Sequence, residues 1–211
     1  MAQNSIPKSI ADICNYLSAS RWSLSRPTPD GRINAAINED EIINQIRQKF
    51  NIEVPRSRAW YDFAIIDGGQ FYPVNIKVTD TTHADNLNCK LGIYYALTGL
   101  KPSFPNEIAW LPYFEKLKAQ FGRDKTRDYY FLIVNKKNHS DIFCATLKGL
   151  QHLTPNGNNL PFQSCWDKNR EVQLRSFDQA AQMIMGKLGE SIRLRSEIYF
   201  NFRRFFPEYV E

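Results

Sequence analysis

Residues 61–78 read YDFAIIDGGQFYPVNIKV, and the pattern inside this stretch sets the fold. Tyr61–Ile66 and Phe71–Val78 are two apolar runs rich in aromatic and β-branched residues, the composition of strands. Between them lies Asp67-Gly68-Gly69, a hairpin-turn signal. Side chains alternate along a strand. Val74, Ile76 and Val78 therefore point one way, into a core, while Asn75 and Lys77 point the other way together. The hairpin partner brings Asp62 beside them. One carboxylate, one amide and one lysine are thus expected at the mouth of a twisted sheet.

Working outward, a first helix is expected over Ser9–Ser18, with Ile10, Ile13, Tyr16 and Leu17 as its apolar set, and a second from Asn38 to Phe50, with Ile42, Ile43, Ile46 and Phe50 at helical spacing. Downstream, helices are expected at about 85–98, with Asp85 as N-cap, and at about 106–121. Tyr129–Val134 is a continuous apolar run, the mark of a central strand buried on both faces. Asp141–Leu147 reads as its neighbour across the basic turn Lys136-Lys137-Asn138-His139. A loop rich in Pro, Gly and Asn spans about 154–162, and a long helix, broken near Gly186 or Gly189, covers about 177–205. Helices around a mixed sheet of four or five strands make an α/β domain. At 211 residues the chain suits a single domain, 1–211, with its core at about 31–150 and a helical C-terminal part at about 163–211.

The net charge of +5 favours polyanionic partners through counterion release at phosphates. Cys14, Cys89, Cys144 and Cys165 form no CxxC pair and no metal cluster with His83, His139 and His152, so they read as buried or half-buried thiols in a reducing cytosol. No apolar run is long enough to span a bilayer, and the first residues, MAQNSIPKSIADIC, lack the apolar core of a signal peptide, so a cytoplasmic protein without a membrane attachment is expected.

Phosphodiester hydrolysis needs the residue types gathered in the hairpin. A carboxylate holds a hard divalent cation through oxygen. The cation lowers the pKa of its water and neutralises charge growing on the phosphate. A lysine orients the water or stabilises the pentacovalent state. An acid on the second helix can join this set. At 100° per residue, Glu39 lies on the stripe of Ile42, Ile43 and Ile46, while Glu41 falls nearly opposite. An acid on a core-facing stripe calls for a function, although acids in a first helical turn also suit the helix dipole.

The arrangement of Asp62 and Asn75-Ile76-Lys77 resembles the PD-(D/E)xK nuclease superfamily, and within it the type II restriction endonucleases. The resemblance covers about residues 31–98. It includes GRINAAINEDEI (31–42), similar to the helix start that places an acid near the metal, and TDTTHADNLNCKLGIYYALTG (79–99), similar to the Ser/Thr-rich turn and helix after the catalytic lysine. Tyr61 stands where the motif has proline, and Asn75 where it has its second acid. The resemblance implies a restriction-endonuclease-like fold with a Mg²⁺ cofactor and Asp62, Asn75, Lys77 and Glu39 as the catalytic set. Asp62, Asn75 and Glu39 would be the metal ligands, with Glu41 in reserve. It further implies sequence-specific hydrolysis of double-stranded DNA by a homodimer, with a cognate DNA methyltransferase in the same restriction-modification system. A structure-specific repair, recombination or anti-phage nuclease is an alternative, and so is a non-catalytic DNA-binding module with a decayed site. DNA-contact candidates are Arg32, Arg56, Arg58, Asn86, Lys90, Lys136 and Lys137. Arg21 and Arg26 share the loop of Arg32 and could read bases. Arg193, Arg195, Arg203 and Arg204 lie on the last helix, whose aromatics Tyr199, Phe200 and Phe205 could equally be core residues.

Overall fold

The structure, a computed structural model, describes residues 5–20, 22, 24, 31–56 and 59–210, the side chains of 31–36 excepted. In chain order the elements are α1 (Lys8–Ala19), α2 (Gly31–Arg47), β1 (Phe63–Asp67), β2 (Gln70–Thr79), β3 (Ala84–Leu87), α3 (Lys90–Thr98), α4 (Trp110–Gln120), β4 (Tyr130–Asn135), β5 (Asn138–Thr146), β6 (Thr154–Pro155), β7 (Phe162–Cys165) and α5 (Phe177–Phe205). The architecture is α/β. A mixed four-stranded sheet has the order β1-β2-β4-β5, and a smaller antiparallel sheet has the order β3-β7-β6.

The hairpin forms as its sequence dictates. Asp67 pairs with Gln70, so the turn is the two residues Gly68 and Gly69, both at positive φ (57° and 74°). This is the conformation of a type I′ turn, whose twist matches that of the strands, and glycine adopts it without a Cβ clash. From Thr79, the end of β2, the chain must reach β4, which runs parallel to β2. A parallel neighbour needs a long crossover, and α3 and α4 provide it. β5 then returns antiparallel to β4.

Both faces of the main sheet are covered. Val74, Ile76, Tyr130, Leu132 and Val134 pack with Ile10, Ile13 and Leu17 of α1 and Ile42, Ile43 and Ile46 of α2. On the other face, Phe131 and Ile133 pack with Ile93 and Leu97 of α3, Leu117 of α4, Ile184 and Leu188 of α5, and Trp166. β4 is buried from Tyr130 to Val134, as its unbroken apolar run predicts.

Several expectations are corrected. Helix α2 begins at Gly31, not near Asn38. Residues 84–87 form β3 rather than the start of a helix; α3 starts at Lys90 with Cys89 at its N-cap, and Asp85 instead accepts a hydrogen bond from the Trp166 indole (2.9 Å). The three-stranded sheet was not foreseen. Its strands have two to four residues, too short for an alternation pattern to show. α5 runs unbroken through Gly186 and Gly189. Tyr199, Phe200 and Phe205 are exposed, not core residues. Of the four cysteines only Cys89 and Cys165 are free thiols, because a disulfide joins Cys14 of α1 to Cys144 of β5. No described helix is long and apolar enough to cross a membrane.

Candidate active site on the hairpin

Asp62 lies one residue before β1, and its backbone N–H donates to the Val74 carbonyl (2.9 Å). With Phe63 opposite Val74, Asp62 falls opposite Asn75, on the face away from the α1/α2 core. The side chains meet there. Asp62 Oδ2 accepts from the Asn75 Nδ2 (2.9 Å) and from the backbone N–H of Ile76 (2.6 Å). The carboxylate is therefore held in one orientation by two donors, both on Oδ2. Asn75, expected as an oxygen ligand, acts here as a donor that positions Asp62.

Lys77 follows on the same face. Its Nζ donates to the Asn86 carbonyl of β3 (3.2 Å), which fixes the reach of the long side chain. The charge of Lys77 is felt at Asp62, at Glu39 and at the buried thiol of Cys89. The Cys89 thiol is pushed up to about 12 by burial, with Lys77 opposing, and is accordingly inert.

Glu39 lies within electrostatic reach of the group. It is half-buried on α2, and its carboxyl is raised to about 7, first by burial and then by the neighbouring charge of Asp62, with Lys77 pulling the other way. Asp62 is itself raised above its ordinary value by burial, with the Ile76 N–H and Lys77 opposing. Glu39 from α2 thus stands within electrostatic reach of Asp62, at the start of β1, and of Lys77, in the middle of β2. Glu41 is also half-buried.

These residues suit a hydrated magnesium ion. Magnesium keeps several waters and is held by one or two carboxylates plus substrate phosphate oxygens, not by a full protein cage. Asp62 and Glu39 would supply two carboxylates, and a cation would relieve the repulsion that the Asp62 charge exerts on Glu39. Among the described residues no cluster of three or more His, Cys, Asp and Glu side chains forms a cage.

Sequence reasoning missed Tyr129. This fully buried residue stacks on Trp60 (ring centroids 5.8 Å apart), and its hydroxyl donates to the Trp60 carbonyl (2.6 Å), two residues before Asp62. It clamps the chain leading into the site. Nothing in its apolar context, YYFLIV, marks it.

The DNA-contact candidates divide. Arg56, Lys136 and Lys137 are exposed. The 136–137 turn abuts the end of β2, with Lys136 N–H on the Thr79 carbonyl (3.0 Å) and Lys137 paired to Asp80 (2.5 Å). Asp80 lies three residues beyond Lys77, roughly 10 Å along a strand. Asn86 and Lys90 turn inward instead. Asn86 Oδ1 accepts from Asn156 (3.0 Å) and Gln163 (3.1 Å), tying the site to the small sheet. Lys90 donates to the Ile108 carbonyl and sits over the Trp110 ring, 4.3 Å from its centroid. Arg21, Arg26 and Arg58 lie outside the described residues, as does the side chain of Arg32. Compared with known families and with curated proteins, the chain matches no family model and no curated protein.

Proposed function

We propose that this chain is a magnesium-dependent DNA endonuclease with its active site at Asp62, Lys77 and Glu39. The carrying observation is that Glu39, from a helix some twenty residues upstream, shares an electrostatic environment with Asp62 and Lys77. Polar residues on an exposed strand face are commonplace. A second, half-buried acid brought within electrostatic reach of the first from another element is not, because desolvating two interacting carboxyls is unfavourable without a cation.

In this reading Asp62 and Glu39 hold Mg²⁺, which when bound supplies an activated water and charge neutralisation at phosphate. Asn75 and the Ile76 amide keep Asp62 in a single rotamer. Lys77, braced on the Asn86 carbonyl, presents its ammonium to the scissile phosphate and stabilises the charge that develops there. Exposed Lys136 and Lys137, beside the end of β2, and Arg56 offer phosphate contacts. Sequence-specific cleavage of double-stranded DNA, as in a restriction system, is the form of the activity favoured by the resemblance of the 31–98 segment.

The test is cleavage of mixed plasmid DNA by the purified chain with and without MgCl₂. Discrete bands that require magnesium are expected, and Lys77→Ala should lower the rate by about 10²–10³-fold while circular dichroism and DNA affinity hold. Smears or junction-only cutting would select a structure-specific nuclease. Asn75, which fills an acid's place with a donor, favours one rival, a DNA-binding module with a decayed site. DNA binding without cutting at any magnesium concentration would select that rival.

A further inference from the structure

Lys77 has a flexible four-carbon stem, so the hairpin fixes its Cα but not its ammonium. The ammonium is placed by its acceptor, the Asn86 carbonyl (3.2 Å). β3, which carries Asn86, is the outer strand of the small sheet and pairs with β7 along one edge. Asn86 is held through its side chain as well. The Asn86 Oδ1 accepts from Nε2 of Gln163 (3.1 Å), its cross-strand partner on β7, and from Nδ2 of Asn156 (3.0 Å). Asn156 is buried and follows β6. Its Oδ1 accepts from the backbone N–H groups of Asn158 (3.1 Å) and Asn159 (3.0 Å), which can only donate, so Nδ2 is the end turned to Asn86. The Asn156 backbone N–H donates to Oγ of Ser191 (3.0 Å), a fully buried residue of α5. The next turn of α5 grips the same loop. The Arg195 guanidinium donates to the carbonyls of Gly157 (2.8 Å) and Asn158 (2.7 Å), and a Cβ at Gly157 would lie 2.8 Å from the Leu194 Cβ.

We propose that Asn156 is a positioning residue for Lys77, acting through Asn86. α5 holds the 156–159 loop, Asn156 holds the Asn86 side chain, and the Asn86 carbonyl holds the ammonium. The small sheet is then the mount of the lysine. The division of labour within Asn156 carries the inference. Its oxygen alone completes the loop, closing a turn on Asn158 and Asn159. Its amide nitrogen adds nothing to that turn. The nitrogen instead reaches across 70 residues of sequence to the residue whose carbonyl receives Lys77. Asn86 is only half-buried, a setting in which water can serve a side-chain oxygen, so the fold does not require this bond for want of another partner. A lysine restrained before substrate arrives loses less freedom in the reaction itself. The role given to Asn156 rests on the reading of Lys77 as the group that meets the scissile phosphate.

Two variants cut the relay at different ends. Asn156→Ser keeps an oxygen for the turn and removes the arm to Asn86. Asn86→Ala removes the acceptor of that arm and leaves the backbone carbonyl in place. The first readout is the proton–nitrogen correlation spectrum of the lysine ammonium groups, recorded without DNA or metal. Lys77 should give a signal there, identified by its loss in Lys77→Arg, and each variant should weaken it. The second readout is the plasmid assay with MgCl₂. Each variant should lower kcat by about 10–100-fold with KM and the far-UV spectrum unchanged, and the double variant should be no slower than the slower single one. A Lys77 signal that is absent from the wild type or indifferent to both variants overturns the proposal. So do losses that multiply in the double variant, or a change confined to KM. A signal that responds to both variants in a chain that cuts no DNA upholds the mount and overturns the nuclease reading alone.

Discussion

Asn75 is the residue on which the chemistry of this site turns. In the resemblance its position belongs to a second acid, yet here its Nδ2 donates to Asp62 and replaces repulsion between two carboxylates with a hydrogen bond. With that neutral donor in place, Asp62 is raised by burial alone, with the Ile76 N–H and the Lys77 charge opposing. Asn75→Asp should therefore make the metal-free site more repulsive and the metal-bound site tighter. The half-maximal Mg²⁺ concentration for cleavage should fall several-fold, and the melting temperature without metal should fall as well. Magnesium titration of the plasmid assay and of thermal unfolding checks both. An unchanged magnesium requirement would place Asn75 outside the metal's reach. That Asp62, Asn75 and Lys77 share one face was legible in the sequence because a hairpin fixes register locally. A two-residue turn determines which residue faces which, and alternation does the rest. Tyr129 was not legible, because a tyrosine within an apolar run looks the same whether its hydroxyl clamps a functional loop or merely caps a strand.

At the level of elements, α1 is tied to β5 in two ways. Ile10, Ile13 and Leu17 bury against the sheet, and Cys14 is bonded to Cys144 across 130 residues of sequence. A cross-link closing so long a loop restricts the unfolded chain most. Thiol titration of protein purified without reductant and then denatured should find two free thiols, Cys89 and Cys165, per chain. Replacing Cys14 and Cys144 together by serine should lower stability by about 2–4 kcal/mol, read from the denaturant midpoint. Four reactive thiols, or a midpoint that does not move, would remove the disulfide from this account. The cysteines could not be paired from sequence, because Cys14 and Cys144 meet only when a helix near the beginning of the chain packs on a strand formed far downstream. The small sheet escaped for the same reason. β3, β6 and β7 hold together through partners distant in sequence, and each is too short to announce itself by periodicity.

For the molecule as a whole, the half-buried acids couple folding to pH and, in the proposed reading, to magnesium. The Glu39 carboxyl stands at about 7 in the folded protein against an ordinary value of 4.5. The folded state thus holds this proton more tightly than the unfolded chain does. The stabilisation linked to it is complete below the ordinary value and is lost as pH climbs through about 7. Above that range the folded protein carries a charged Glu39 that the Asp62 charge disfavours, a penalty that a divalent cation would relieve in the proposed reading. Thermal unfolding should show a falling melting temperature for metal-free protein between about pH 5 and pH 8. Added MgCl₂ should raise the melting temperature at the upper end and do little at the lower. Glu39→Gln should flatten the pH dependence and remove most of the magnesium effect. An equal response to magnesium at both ends of the range would detach Glu39 from the cation.

Local chemistry written in the chain was enough for the hairpin, the buried central strand, the amphipathic helices and the face shared by Asp62, Asn75 and Lys77. Turn residues and the two- and 3.6-residue periods act over a few neighbours, so they can be read without knowing where anything else lies. The tertiary structure decided what those neighbours cannot encode. It set Glu39 within electrostatic reach of Asp62 and Lys77, put the Asn86 carbonyl under the Lys77 ammonium, turned Lys90 onto the Ile108 carbonyl, bonded Cys14 to Cys144, and left the end of α5 exposed. Each of these depends on which distant surface comes to rest against which. That is settled by the burial of the whole apolar set at once, and no single segment carries the information.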